Sequence, residues 1–216
     1  MSRYVIIDLE MCYVQHTPEN AVFRNRNELI QIGAVLLDEE YEVSDTFMTL
    51  VAPQYGAIDD FIEKLTGISP AAAAKAPCTA DALTAFAEWL PDDAVIVSWS
   101  DTDKYQIMHE LEFKRIQLPR MEGYLETWVD CQQTFSEKMD TAKIYKLSEA
   151  LVIADIDSVD GEHDALVDAR NTAKLFAKMQ REPVLKLNPY YGSSEDNSPA
   201  THNPFAALLA NFTVSE

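Results

Sequence analysis

Residues 3–11 read RYVIIDLEM, an apolar run rich in valine and isoleucine that two acids interrupt. The run is long enough for a buried strand and too short for a helix. Because side chains alternate along a strand, Asp8 and Glu10 point to the same face near its carboxyl end. Such a pair alone is more often solvated on an edge strand, so its meaning depends on the rest of the chain.

A third acid follows a second apolar run, AVIVSWS at residues 94–100. The next segment has a helical pattern in which Asp103, Ile107 and Leu111 recur every four residues, so Asp103 heads the inward stripe. Asp101 precedes the first turn and suits a helix N-cap. We therefore predict a site role for Asp103 and a capping bond from Asp101. Only the position on the helix distinguishes Asp103 from Asp101, because the helix dipole favours an acid at either position.

The third segment, EHDALVDARNTA at residues 162–173, supplies a histidine and a fourth acid. A helix is predicted to begin near Asp164, with Asp168 beside its buried side. His163 does not share the helical face of Asp168 and is expected on the preceding loop. A lone histidine among acids is more often a surface residue, so only the whole set raises its importance. The predicted buried side consists of Leu166, Ala169, Ala173, Phe176 and Ala177.

The order, spacing and flanks of these segments resemble the DEDDh 3′-to-5′ exonucleases, the DnaQ-like family. The resemblance covers roughly residues 3–180 and includes ELIQIGAVLLD at 28–38, FIEKLTGIS at 61–69 and HDALVDA at 163–169. It implies an α/β fold with a ribonuclease H-like mixed sheet flanked by helices. Residues 1–186 would form the exonuclease domain.

The resemblance also implies a two-metal mechanism. Asp8, Glu10, Asp103 and Asp168 would hold two Mg²⁺ or Mn²⁺ ions about 4 Å apart, which neutralise the phosphate and activate water. His163 would accept the proton of that water, because imidazole exchanges protons near neutral pH. The reaction would release nucleoside 5′-monophosphates from single-stranded or 3′-overhang RNA or DNA.

Several alternatives stay open at this point. The long first connection, residues 11–27, resembles the subgroup that trims structured RNA ends, but the choice between RNA and DNA depends on contacts that the sequence does not place. The chain could instead be a proofreading subunit of a polymerase or a non-catalytic interaction module on the same fold. An endonuclease of the wider ribonuclease H-like group is a more remote alternative.

The predicted elements begin with three strands and then alternate between helices and strands, which is typical of a mixed sheet flanked by helices. The strands are expected at 4–10, 28–38, 43–51, 94–99 and near 127–131. The helices are expected at 58–65, 79–90, 102–116, 131–138, 146–152 and 164–180.

The net charge of −19, from 17 basic and 36 acidic residues, is unusual for a protein that binds nucleic acid. Phosphate neutralisation by basic residues supplies most non-specific affinity. We therefore expect weak binding to long duplexes, sharp loss of binding with salt, and dependence on bound cations. Local basic residues could guide a strand, although ordinary solvated surface is expected for most of them. The candidates are Arg24, Arg26, Lys114, Arg115 and Arg120.

Cysteine content and hydropathy bear on the compartment. Cys12, Cys78 and Cys131 lack the CxxC spacing of a zinc site and indicate reduced thiols, with Cys12 expected as a small buried residue. No apolar stretch approaches the length of a membrane span, and the N-terminus has no secretory signal pattern. A cytoplasmic protein is expected.

The composition changes near residue 186. Residues 187–216 are rich in Pro, Gly, Ser and Asn and end in the apolar segment FAALLANF at 205–212. This pattern is typical of an extended arm. The arm is expected either to bind a protein partner or to fold back on its own domain, and the sequence does not separate these alternatives.

Overall fold

Five strands form one mixed sheet in the computed structural model, which describes residues 3–15, 17–18, 21–161 and 163–191. The strands are β1 (Arg3–Tyr13), β2 (Asn27–Leu37), β3 (Val43–Leu50), β4 (Ala94–Ser98) and β5 (Val129–Asp130). Their order in the sheet is β3-β2-β1-β4-β5. The pairs β1–β2 and β2–β3 are antiparallel, whereas β1–β4 and β4–β5 are parallel. The predicted α/β fold with a mixed sheet is confirmed.

The described helices include two that the sequence analysis did not predict. The eight are α1 (Asp60–Thr66), α2 (Pro70–Ala73), α3 (Thr79–Trp89), α4 (Thr102–Phe113), α5 (Pro119–Leu125), α6 (Cys131–Lys138), α7 (Leu147–Ile153) and α8 (Ala165–Arg181). The two additions, α2 and α5, are short and begin with a proline. Proline is favoured in the first turn of a helix because its missing N–H would have no partner there. Pro70 and Pro119 are therefore the sequence signals for these two helices.

The alternation along β1 divides the core into two layers. Val5, Ile7 and Leu9 are buried against α3, α4 and α5 on one face of the sheet. Ile6 is buried with residues of α6, α7 and α8 on the other face. The even-numbered acids of β1 share the face of Ile6, so they point toward α8.

The end of β4 exposes the acidic end of β1. In the parallel pair the last register partners are Ile7 and Ser98, so β4 stops immediately before the position of Asp8. Ligand sites of α/β sheets lie beyond the carboxyl ends of parallel strands. The chain that leaves β4 enters α4 at this edge, which brings Asp103 to the same place.

The start of α8 lies directly against β2 because Gly33 has no side chain. A Cβ atom at Gly33 would lie 2.2 Å from both the carbonyl carbon of Ala165 and the nitrogen of Leu166. The side chain of Gln31 accepts a hydrogen bond from the Ala165 N–H at 3.1 Å. Gly33 is the register partner of Asp8, so this close approach places the first turn of α8 in front of the β1 acids.

A buried ion network fixes the far end of α4. The Lys114 Nζ lies 2.5 Å from Glu28 and 2.7 Å from Glu110, and the two carboxylates are fully buried. Glu28 also accepts the backbone N–H groups of Gln54 and Tyr55, at 2.6 and 2.7 Å. The network therefore joins the start of β2, the loop after β3 and the end of α4.

Two of the five basic candidates have partners within the protein. Lys114 is 5% exposed and is held by the buried network. Arg120 donates to the carbonyl groups of Ala87 and Leu90 at 2.8 and 2.7 Å and pairs with Asp92. The buried side chain of Lys114 cannot guide a strand, whereas that role of the half-exposed Arg120 stays a prediction. A cluster of basic residues in a sequence does not reveal such partners. Arg24, Arg26 and Arg115 are exposed, and their strand-guiding role stays a prediction.

Residues on both sides of the predicted domain boundary contact the domain. Leu185 is buried in the core layer that contains α7 and α8. The Asn188 N–H donates to the carbonyl of Ile153, at the end of α7, at 2.8 Å. Residues 192–216, with the segment FAALLANF, lie outside the described residues, and the domain boundary at 186 stays a prediction.

Two smaller expectations concern the cysteines and the membrane. All three cysteines are free thiols, and Cys12 is buried as expected, with Cys131 also buried and Cys78 exposed. None of the described helices has the length and hydropathy needed to cross a membrane.

Substitution of Gly33 by alanine is expected to lower the free energy of unfolding by about 2 kcal/mol, because overpacking against a fixed backbone costs about 1–3 kcal/mol. Urea denaturation measures this loss. Gly123→Ala is the matched control: a Cβ there meets no atom within 4 Å, and alanine is favoured inside a helix. Equal stability of the two variants would contradict the proposed close approach.

Candidate active site

The five residues predicted from three sequence segments come together at the carboxyl end of β1. Asp8 and Glu10 lie on β1, Asp103 in the first turn of α4, and Asp168 in the first turn of α8. Ligand atoms of Glu10, His163 and Asp168 all lie within 4.8 Å of one another. The charges of Asp103, Glu10 and Asp168 each raise the pKa of Asp8, which places all four carboxylates in one cluster.

The structure places Asp103, and not Asp101, in the cluster. Asp103 is 7% exposed, and its carboxylate accepts the backbone N–H of Leu9 on β1. Asp101 is exposed and occupies the N-cap position, but its side chain makes no capping hydrogen bond. The predicted bond is wrong because a capping residue needs extended backbone dihedrals, whereas Asp101 has helical ones, φ −72° and ψ −5°.

His163 lies on the turn before α8, as predicted, and is exposed. Its φ of +68° is in the left-handed region, which is uncommon for a residue with a side chain. The His163 N–H donates to Asp168 Oδ2 at 2.9 Å, which helps to hold this conformation. The same carboxylate group therefore belongs to the acidic cluster and positions the histidine.

Sequence reasoning missed a fifth acid, Asp164. Its carboxylate caps α8 by accepting the N–H groups of Leu166 and Val167 at 2.9 and 3.2 Å. Its charge also raises the pKa values of Asp8 and Glu10. The helix start near Asp164 was predicted, but a capping pattern does not show which other charges the cap will face.

A buried asparagine supports the loop that carries His163. Asn171, on α8, accepts the N–H of Val159 at 2.7 Å and donates to its carbonyl at 3.2 Å. The side chain is almost completely buried. This pair of bonds attaches the loop before His163 to the helix that carries Asp168. An asparagine inside the predicted helix, three residues after Asp168, is the feature of the sequence that could have indicated this role.

Burial and mutual repulsion raise the proton affinity of the cluster. Burial, followed by the charges of Asp103 and Glu10, raises the pKa of Asp8 well above its usual value. Burial, followed by the charges of Asp168 and Asp103, raises the pKa of Glu10 to about 8. Burial also raises the pKa of Asp103, although its backbone hydrogen bonds oppose the shift. Bound cations would replace these protons, because metal ligands must be deprotonated.

The donor set fits Mg²⁺ or Mn²⁺. Both ions prefer oxygen ligands, and the cluster offers four carboxylates with one imidazole nearby. Asp8, Glu10, Asp103 and Asp168 are the residues that could hold them. Because the pKa values of Asp8, Glu10 and Asp103 are raised, nearby positive charge is needed if all of these carboxylates are to be ionised at neutral pH.

A cavity of about 320 Å³ adjoins the cluster, within the range of small-molecule sites. Asp8, His163 and Asp168 belong to its lining. Trp99, which follows β4, and Lys146, which precedes α7, also line it. The cavity therefore combines an acidic part with an aromatic ring and a positive charge.

The raised pKa of Glu10 predicts that the metal-free protein loses stability as pH rises. Between its usual pKa of 4.5 and about 8 the folded state keeps a proton that the unfolded state loses, so stability falls as pH rises. Glu10→Gln removes this loss. Urea unfolding in EDTA measures the free energy of unfolding of both proteins. From pH 5 to pH 8 the value for Glu10→Gln should rise relative to that of the wild type by on the order of a few kcal/mol.

The exposed Glu39 provides the control for that experiment. Glu39→Gln should differ from the wild type by an amount that does not change with pH. A constant difference for Glu10→Gln over the same range would contradict the role of burial and repulsion.

Comparison with known proteins gives the family. The model of the RNase_T exonuclease family matches residues 5–176, a range that includes all five predicted site residues. Human ERI1 exoribonuclease 2 is 28% identical over 236 aligned residues, which cover 97% of this chain and 32% of the relative. The DNA polymerase III subunit epsilon of Aquifex aeolicus is 27% identical over 194 residues, covering 87% of this chain and 86% of that subunit. This chain spans about a third of the length of the human and zebrafish exoribonucleases.

The fold agrees with solved structures. The nuclease domain of 3′hExo, described as a DEDDh family member bound to rAMP, matches with a TM-score of 0.72 and 21% identity. The match covers 87% of this chain and 96% of that domain. The resemblance to the DEDDh exonucleases is thus confirmed, and the chain belongs to the RNase_T exonuclease family.

Proposed function

We propose that this protein is a metal-dependent 3′-to-5′ exonuclease that releases nucleoside 5′-monophosphates from single-stranded or short 3′ ends. The observation that carries the proposal is the convergence of four carboxylates and an exposed histidine beside one cavity. Family membership supports the same chemistry. An interaction module would gain nothing from placing acids where they repel one another.

Asp8, Glu10, Asp103 and Asp168 would hold two Mg²⁺ or Mn²⁺ ions. When bound, such ions neutralise charge on the scissile phosphate and lower the pKa of a water molecule. The four carboxylates come from three elements, β1, α4 and α8, and would fix where the ions, and through them the phosphate, are held. The Leu9 N–H holds Asp103 in place. Burial of Glu10 and Asp103 limits competing water around the reacting group.

His163 is proposed as the general base. Its imidazole is exposed beside the cavity, within 4.8 Å of ligand atoms of Glu10 and Asp168. The hydrogen bond from its own N–H to Asp168 keeps the ring near the acids without occupying the ring nitrogens. A nitrogen is therefore available to accept the proton of the attacking water.

RNA is the substrate that we favour. The relatives that align over most of this chain in human and zebrafish are named exoribonucleases. The similarity to a DNA polymerase III subunit supports a second candidate, proofreading of DNA 3′ ends. The net charge of −19 favours short or single-stranded ends over long duplexes in either case.

A ribo-oligonucleotide labelled on its 3′-terminal nucleotide tests the reaction. With Mn²⁺ the wild type should release a labelled mononucleotide, EDTA should stop the release, and His163→Ala should lower kcat by roughly 10²- to 10⁴-fold. Calorimetry should show that His163→Ala binds Mn²⁺ with an affinity close to that of the wild type. No mononucleotide at any pH from 6 to 9 would sink the proposal.

Two controls sharpen the assay. An oligonucleotide with a blocked 3′ end should resist cleavage, whereas internal cuts would identify an endonuclease. A deoxyribo-oligonucleotide of the same sequence should turn over more slowly if RNA is the substrate. Faster turnover of DNA would favour the proofreading role.

The doubled acid before α4 provides a matched pair of variants. Asp103→Asn should weaken Mn²⁺ binding and lower kcat by at least about 10²-fold, because it removes a buried ligand. Asp101→Asn should change both by less than about twofold, since surface substitutions have small effects. The opposite pattern would show that Asp101 is the ligand.

A further inference from the structure

The cavity beside the acidic cluster has one positive side chain in its lining. Asp8, His163 and Asp168 lie at the reacting end, whereas Lys146 and Ser148 belong to the segment that starts α7. Among the described residues that line the cavity, Lys146 alone is a lysine or arginine. In a chain with a net charge of −19, a cation that lines the same cavity as Asp8 and Asp168 needs an explanation.

Neighbouring lysines have partners within the protein, whereas Lys146 has none among the described residues. Lys143 pairs with Glu149 at 2.5 Å, Lys174 donates to the carbonyl of Asp157 at 2.8 Å, and Lys178 donates to that of Ala154 at 2.6 Å. Within the described part of the chain, the Lys146 side chain makes no hydrogen bond or ion pair, and the residue is exposed. Its ammonium group is therefore available to a ligand.

The backbone of Lys146 is fixed although its side chain is exposed. The Lys146 carbonyl accepts the N–H of Ala150 at 2.9 Å. The preceding residue, Tyr145, is buried, and its carbonyl accepts a bond from Gln132 at 2.7 Å. These contacts hold the start of the side chain at the cavity wall, so that its ammonium group can reach the cavity and its mouth.

We propose that Lys146, assisted by the Ser148 hydroxyl, binds a second phosphate of the substrate strand, next to the phosphate that is cleaved. An ammonium and a hydroxyl are ordinary donors to phosphate oxygens, and charge-assisted bonds of this kind are the stronger ones. The acids handle the scissile group, whereas Lys146 is a positioning residue that holds the neighbouring nucleotide. This inference rests on the proposed nuclease function.

The test compares two substrates. A single-stranded oligonucleotide carries neighbouring phosphates, whereas the p-nitrophenyl ester of thymidine 5′-monophosphate has only the phosphodiester that is cleaved. Lys146→Gln should raise KM for the oligonucleotide about tenfold with little change in kcat, since it removes one charged hydrogen bond used in binding. The kcat/KM for the ester should stay at the wild-type value.

Salt dependence gives a readout that a merely structural role would not move. Each phosphate contact on a single strand contributes about 0.7 to the slope of log affinity against log salt. Lys146→Gln should reduce that slope by about this amount, and Lys146→Arg should restore it. Lys143→Gln is the matched control, because Lys143 lies three residues away and is paired with Glu149.

The outcomes separate this inference from the proposed function. If Lys146→Gln lowers kcat/KM equally for both substrates, the second phosphate site is overturned. The lysine would then act on the scissile phosphate or stabilise the fold. Wild-type behaviour of Lys146→Gln on the oligonucleotide would also overturn it, while leaving the nuclease function intact. Failure of the wild type to cleave either substrate with Mn²⁺ would overturn both.

Discussion

The close approach of α8 to β2 at Gly33 is the contact on which the site depends. A side chain at this position would meet the backbone of Ala165 and Leu166. Because Gly33 pairs with Asp8 across the sheet, the helix start arrives directly in front of the first acid. The first turn of α8 carries Asp168, and His163 lies just before it. The absence of a side chain at Gly33 therefore sets the distance between the acids of β1 and these two residues.

Burial and mutual repulsion destabilise the carboxylates of the cluster, and hydrogen bonds from backbone N–H groups offset part of this effect. Leu9 donates to Asp103, His163 donates to Asp168, and two N–H groups of α8 donate to Asp164. These bonds do not neutralise the charges, and the pKa values of Asp8 and Glu10 remain raised. The fold therefore holds carboxylates in a place where they are poorly stabilised alone, which is what a cation site requires.

The sequence predicted the parts of the site that follow from local periodicity. Strand alternation put Asp8 and Glu10 on one face, and helix phase selected Asp103, which the structure buries in the cluster. Local patterns failed where a residue's role depends on distant partners. Lys114 was expected at the surface, yet Glu28 and Glu110 surround it. The spacing that selects a residue for one helix face contains no information about what that face will meet.

The buried network around Lys114 determines which parts of the site can adjust. Glu110 accepts the N–H of Leu29, and Gln106 donates to the carbonyl of Asn27, so α4 is attached to β2 along more than one turn. Asp103, at the other end of this short helix, is consequently held at a fixed depth beside β1. The backbone of the His163 turn is held by Asp168, but among the described residues no hydrogen bond fixes its exposed ring. We expect the ring of His163 to adjust to strands of different shape while Asp103, on α4, stays in place.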